Sequence, residues 1–225
     1  MISVVIPAFN EEGSIADVIT QTETILDSTK LSYEVIVVDD GSMDNTRNFV
    51  LNNGARLITY TKNRGKGYAL RRGFAEAEGE ILITMDADGS HEPKDILKII
   101  HPLLNGFDVV FGSRFLNNGG GRVTSRLHAI GNHLFNFLIL ALTGKKISDS
   151  QTGFRGYRRE VIREMKLRSD GYEVESELTV KALKNGFKTR EAPITCLRRS
   201  AGHSKLRSFS DGFRIFKAIL EANFI

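Results

Sequence analysis

The chain has 225 residues, of which 41% are hydrophobic, 26% charged and 8% aromatic, a balance that excludes disordered and fibrous classes and suffices for a substantial core. Its single cysteine, Cys196, excludes an intramolecular disulfide framework and a multi-cysteine zinc site, and the lack of tryptophan and of aromatic-basic interleaving argues against a base-stacking nucleic-acid module. The formal charge of +4 is uneven, −3 over residues 1–154 and +7 over residues 155–225, so the second part is expected to meet phosphate or an anionic surface.

The first half alternates two periodicities. Ile2 to Ile6 is a β-branched apolar run ended by Pro7, and apolar residues at helical spacing follow from Ile15 to Leu26. Glu34 to Val38 reads as a second strand, Asp44 to Leu51 as a helix, Leu57 to Tyr60 as a strand, Tyr68 to Ala77 as a helix and Glu80 to Met85 as a fourth strand. A helix over Ile96 to Leu104 and a strand over Val109 to Phe111 complete this part. Strands so uniformly apolar are covered on both faces, which predicts an α/β fold with a mostly parallel sheet flanked by helices.

Beyond residue 112 the pattern is less regular. A turn-rich stretch over 117–121 leads into a helical segment over 123–142, a short strand over 152–157, helices over 172–184 and 209–222, and a strand over 189–195 between them. The longest apolar stretch, Leu127 to Leu142, contains His128, Asn132, His133 and Asn136 and falls short of the roughly 20 apolar residues a membrane span needs, so no transmembrane helix is expected. The N-terminus lacks the basic start and apolar run of an export signal and reads as a strand. One domain over 1–225 is expected, with 1–112 and 113–225 as its two halves.

In a parallel sheet, ligands bind beyond the carboxyl ends of the strands. Three such ends carry acids: PAFNEE at 7–12, DDGS at 39–42 and DADGS at 86–90. Asp86 and Asp88 are two residues apart, so an extended backbone points both carboxylates to one side, where a hard cation would relieve their repulsion and leave room for phosphate oxygens. His91 follows closely enough to touch the same ligands, whereas His101, His128 and His133 read as helix residues and no zinc signature is present. The segment GKGYAL at 65–70 only partly imitates a dinucleotide fingerprint, and no phosphate-loop motif occurs.

Taken together, VVIPAFNEE at 4–12, VVDDGS at 37–42 with Asp44 and Thr46, NRGKG at 63–67 and MDADG at 85–89 resemble the nucleotide-sugar half of family 2 inverting GT-A glycosyltransferases. GSRF at 112–115, DSQTGF at 149–154 and GHSK at 202–205 extend the resemblance toward the dolichol or polyprenyl phosphate sugar synthases. The resemblance implies a Rossmann-like GT-A sheet whose residues 1–112 bind a GDP- or UDP-hexose and whose residues 113–225 form an irregular acceptor side. It places Pro7, Ala8, Phe9 and Glu11 beside the nucleoside, Asp39 or Asp40 on its base or ribose, and Lys66 near the nucleotide. Asp86, Ala87 and Asp88 would border the diphosphate, with Asp86, Asp88 and Ser90 around Mg2+ or Mn2+. Ser90 stands where well-known mannosyl members carry glutamine, and its hydroxyl has a shorter reach. Arg114, Arg126, Arg199 and Lys205 would gather donor and acceptor phosphates.

A phosphate acceptor is already an anion near neutral pH, its second pKa being about 6, so it requires no strong general base. A saccharide hydroxyl does, and Asp149 is the expected base, with Glu175 behind it. Two apolar stripes are candidate lipid-facing surfaces: Leu134, Phe135, Leu138, Ile139 and Leu142, and the tail with Leu206, Phe209, Phe213, Phe216, Ile219 and Leu220 among Lys205, Arg207, Arg214 and Lys217, for which packing on the domain's own core is an equal alternative. Arg158, Arg159, Arg163, Lys166 and Arg168 read as a solvated basic face. The enzyme is expected at the cytoplasmic face of a membrane, in peripheral contact or beside a membrane-embedded partner. The competing non-enzyme reading is a module that binds anionic membrane or nucleic acid.

Overall fold

The computed structural model describes residues 1–116, 126–199 and 208–224. A seven-stranded sheet runs through it, formed by β1 (Ile2–Ala8), β2 (Tyr33–Asp39), β3 (Arg56–Thr59), β4 (Ile81–Thr84), β5 (Val109–Ser113), β6 (Arg155–Arg158) and β7 (Thr189–Pro193), in the order β3-β2-β1-β4-β6-β5-β7. Every pairing is parallel except the two made by β6, which lies antiparallel between β4 and β5. The expected parallel α/β sheet is therefore present, with one reversed strand. That reversal carries the chain from the second half back beside the carboxyl end of β4, where Thr84 Oγ1 donates to the Gly153 carbonyl at 2.7 Å.

The strands are apolar throughout because both faces are covered. Along β1, Val4 and Ile6 belong to one core and Val5 to the other, as strand alternation requires. The first core is closed by α1 (Ile15–Asp27), α2 (Thr46–Asn52) and α4 (Ile96–Leu104), through Ile15, Ile19, Leu26, Val50, Ile99 and Leu103. The second is closed by α3 (Lys66–Glu76), α5 (Arg126–Thr143), α6 (Arg159–Met165), α7 (Val174–Lys184) and α8 (Ser208–Asn223), through Leu70, Phe74, Ile139, Val161, Leu178, Ile215 and Ile219. Each such side chain contributes roughly 1.5–3 kcal/mol by leaving water.

Burial divides the expected lipid-facing stripes. On α5, Ile139 is fully buried and Phe135, Leu138 and Leu142 pack against the second core, whereas Leu134 of the same stripe is 65% exposed, together with Ile130 (66%), Phe137 (69%) and Leu140 (38%). On α8, Ile215 and Ile219 face the core while Phe213 is 70% exposed. Leu206 lies outside the described residues, as does the Phe209 side chain. The basic face of α6 is also less solvated than expected, because Arg158 donates to the Phe107 and Leu103 carbonyls (3.2 and 2.9 Å) and Arg159 to the Gly79 carbonyl (2.8 Å). No helix among the described residues is long and apolar enough to cross a membrane.

Candidate active site

A cleft of about 680 Å3 opens beyond the carboxyl ends of β1, β2 and β4. Pro7, Ala8, Phe9 and Glu11 line it after β1, Asp40 after β2, Lys66 at the start of α3, and Asp86, Ala87 and Asp88 after β4. Every expected donor-side residue except Asp39 thus faces one space, and Arg199 joins them from the second half.

The loop after β1 is held by the loop after β2. Ser42 Oγ accepts the Asn10 N–H (2.8 Å), Thr46 Oγ1 accepts the Glu11 N–H (2.8 Å) and Asp44 accepts the Glu12 N–H (3.2 Å), while Asn10 Oδ1 accepts from the Met43 amide in return (2.8 Å). The hydroxyls and acid of the DDGS-x-D-x-T run therefore order the residues that border the cleft, as side chains of turn-forming type do. Asn10 itself sits at φ 51°, a left-handed conformation that asparagine tolerates better than most residues.

Asp39 and Asp40 divide the expected ligand role unequally. Asp39 is fully buried and committed: Arg47 Nε (2.5 Å), Thr59 Oγ1 (3.0 Å) and the Ser42 amide (3.1 Å) all donate to it. It does not line the cleft, so of the two alternatives expected at the nucleoside it is the one turned away. Asp40 does, and its carboxylate accepts the Arg64 and Gly65 amides at 2.7 and 2.8 Å. Burial raises its pKa despite those amides. The approach of residues 62–65 requires Gly41, at φ +78°, since a Cβ there would lie 2.9 Å from the Asn63 nitrogen.

The charged centre lies at the mouth of β4. Lys66 Nζ contacts Asp86 Oδ1 at 2.5 Å and Glu175 Oε1 at 2.6 Å. Burial alone would raise the Asp86 pKa, but the Lys66 ammonium outweighs it and holds the carboxyl well below the usual range. Burial dominates at Glu175, whose pKa is raised and whose Oε2 has no hydrogen-bond partner among the described residues. Asp88 Oδ2 meets Arg199 Nη2 at 2.7 Å, and Arg199 Nη1 is 3.6 Å from Glu11 Oε1. His91 is buried, accepts the Asp86 amide on Nδ1 (3.3 Å) and stacks on Phe154, and burial lowers its pKa.

Two carboxylates on one strand end are hard oxygen donors suited to a divalent ion completed by water and phosphate oxygens. No group of three His, Cys, Asp or Glu capable of holding a metal converges among the described residues, so the substrate would supply the remaining ligands. Ser90, expected as a third ligand, does not line the cleft; its amide donates to Asp88 Oδ1 (2.9 Å) and so orients that carboxylate.

Asp149 and Arg114 form a buried pair apart from the cleft lining. Arg114 Nε and Nη2 donate to Asp149 at 2.7 and 2.9 Å, and the Arg114 and Gln151 amides add bonds at 3.1 and 3.2 Å. With no exposed surface and four donors upon it, Asp149 is an anchor for Arg114 in this arrangement rather than an available base. The Arg126 side chain and the whole of Gly202, His203 and Lys205 lie outside the described residues.

Sequence reasoning missed Ala69, Gly171, Tyr172, Ser210 and Asp211 in the cleft, and placed Asn63 and Gly65 only in a motif and Arg214 only in the tail. Gly171 and Tyr172 are there because α3 docks on the 169–171 segment, where a Cβ on Gly65 or Gly67 would lie 2.3 Å from the Asp170 or Ser169 carbonyl oxygen. The GKG run carried that signal, since paired glycines in a helix start mark close backbone approach. Buried Arg155 organises the neighbouring segment by donating to the Thr152, Ser150 and Glu175 carbonyls, each at 2.7 Å.

An acid-lined cleft beside a lysine and an arginine thus lies at the ends of parallel strands, where the ligand sites of Rossmann-like α/β folds are found. Residues 3–166 match the model of glycosyl transferase family 2, and the chain belongs to that family of glycosyltransferases. It is 32% identical over 215 residues to a dolichol-phosphate mannosyltransferase of Pyrococcus furiosus, matching 92% of this chain and 59% of that protein. It is 30% identical to a UDP-N-acetylglucosamine–dolichyl-phosphate N-acetylglucosaminyltransferase of Methanococcus voltae, over 98% of this chain and 95% of that protein. Among solved structures, glucosyl-3-phosphoglycerate synthase of Mycobacterium tuberculosis, in complex with Mn2+, UDP and phosphoglyceric acid, superposes with a TM-score of 0.78 at 26% identity, covering 100% of this chain and 79% of that one. The expected GT-A architecture is thereby borne out.

Proposed function

We propose that this enzyme moves a hexose, with inversion, from a UDP- or GDP-sugar to a polyprenyl phosphate, using a divalent ion. The observation that carries the reading is the convergence of Asp86, Asp88, Lys66 and Arg199 on one cleft beyond β4. Asp86 and Asp88 would hold Mg2+ or Mn2+, which supplies charge neutralisation for the departing diphosphate. Lys66 and Arg199 stand within reach of the same anion and stabilise charge that grows toward the transition state. Pro7, Ala8, Phe9, Glu11 and Asp40 form the nucleoside end of the cleft.

The relatives named for dolichyl phosphate support a lipid phosphate acceptor, and the commitment of Asp149 to Arg114 agrees with a nucleophile that needs no base. Arg126 and Lys205 would gather the acceptor phosphate, with Arg114, whose Nε and Nη2 are held by Asp149, adding its positive charge nearby. Ile130, Leu134, Phe137 and Phe213 are among the exposed apolar groups that could contact the membrane that holds such a lipid.

The test is a panel of UDP- and GDP-sugars assayed for transfer to polyprenyl phosphate and to saccharide acceptors, with Mn2+, Mg2+ or chelator. Transfer to the lipid phosphate that chelator and Asp88→Ala both abolish is the expected result. Undiminished transfer in chelator would overturn the metal assignment, and transfer to saccharides alone would overturn the acceptor.

A further inference from the structure

Lys66 is held more elaborately than a nucleotide contact requires. Its ammonium is shared between Asp86 of the donor side, at 2.5 Å, and Glu175 of α7, at 2.6 Å. The lysine side chain is 14% exposed and that of Glu175 only 4%. Glu175 does not line the cleft, so it reaches the donor only through the lysine. The backbone of the 149–154 segment covers the pair closely: a Cβ on Gly153 would lie 2.6 Å from Asp86 Oδ1 and 2.7 Å from Lys66 Nζ.

Asp86, 26% exposed, and Glu175, 4% exposed, share one ammonium, and Asp86 Oδ2, 3.8 Å from His91 Nε2, stays outside the lysine contact. A divalent ion arriving on Asp86 would meet the ammonium as a competitor, because two cations on one carboxylate repel each other. Glu175 offers the lysine a second anion to rest on when Asp86 is claimed.

Building on the proposed donor site, we propose that Lys66 is a resident counter-ion which cedes Asp86 to the divalent ion and turns to the donor diphosphate, and that Glu175 is the positioning residue that lets it do so. Before the ion arrives the lysine rests on Asp86 and Glu175 together. In the loaded site Glu175 retains the ammonium beside the cleft.

The experiment measures Mn2+ binding to the whole protein without nucleotide, by the loss of the free-ion electron paramagnetic resonance signal, and then UDP binding at saturating Mn2+ by calorimetry. Lys66→Met removes the competitor and is expected to tighten Mn2+ roughly tenfold while weakening UDP by a similar factor. Glu175→Gln leaves the lysine to Asp86 alone and is expected to weaken Mn2+ several-fold. The double variant should bind Mn2+ as Lys66→Met does, since Glu175 acts through the lysine.

Opposite signs for the two single variants are not produced by structural damage, which would weaken both. Should Glu175→Gln fail to fold, Lys66→Met decides alone. Mn2+ binding that Asp88→Ala abolishes is the control for the donor site; its failure would overturn that site together with the proposal. With the control intact, unchanged or weaker Mn2+ binding in Lys66→Met would overturn the counter-ion role alone.

Discussion

Replacing Asp149 by asparagine separates an anchor from a base, and the hydrogen bonds fix the size of the effect. Oδ2 accepts from Arg114 N and Nε, and Oδ1 accepts from Arg114 Nη2 and Gln151 N. An asparagine has one acceptor oxygen, so in either orientation its NH2 group faces two donors and two bonds become donor–donor contacts. The Arg114 side chain is 19% exposed and loses its charge partner in the same step. Breaking one side of a buried pair costs about 3–5 kcal/mol, against about 0.5 kcal/mol for a surface change, and in a chain of this size that lowers Tm by ~10 °C. Urea unfolding followed by circular dichroism, beside a thermal melt, measures it. Replacing both partners together, in Arg114→Met with Asp149→Leu, should recover much of the loss because no charge is then stranded. An Asp149→Asn enzyme within 1 kcal/mol of the parent would refute the anchor. If such a stable enzyme had also lost turnover with hydroxyl acceptors, Asp149 would be the base after all.

Arg155→Met strips donors from three carbonyls of the 150–175 segments and from Thr179 Oγ1, which it meets at 2.9 Å, and should destabilise the protein by about 3–5 kcal/mol in urea unfolding. Gly67→Ala places a methyl 2.3 Å from the Ser169 carbonyl oxygen, so the 169–171 segment must shift; a loss of about 1–3 kcal/mol and a raised donor KM are expected, because Gly171 and Tyr172 line the cleft. Glu177 gives a pH signature: burial raises its pKa, but Lys181 (2.7 Å) and the Ser169 amide (2.8 Å) outweigh that and lower it. A carboxyl lowered on folding stabilises the protein above its unfolded value of about 4.3 and ceases to do so as pH falls through the folded value. Urea titrations between pH 3 and 6 should therefore show a stability decline on acidification that Glu177→Gln flattens; an unchanged slope would remove Glu177 from the acid response.

How much of this was legible in the sequence follows from which residues act locally. Val4, Val5 and Ile6 carry their sheet assignment in themselves, because a strand apolar at every position must be covered twice, and all seven expected strands are present within a few residues. The acids after β1, β2 and β4 were equally readable, since a parallel sheet forces its strand ends together. What no local pattern distinguishes is which of two adjacent acids turns inward: Asp39 and Asp40 differ only in that β2 extends through Asp39 and points it at Arg47 and Thr59. The α5 stripe held only in part for a related reason, since an apolar residue at helical spacing looks the same whether it meets the core, as Ile139 does, or water, as Leu134 does. Glu175 is named in the sequence only as an acid behind Asp149; its contact with Lys66, and the place of Tyr172 in the cleft, were beyond reach because they depend on a reversed strand. Only when β6 turns antiparallel beside β4 do Gly153 and the start of α7 come against Asp86 and Lys66, so the acceptor side of the charged centre is a property of topology and not of any motif.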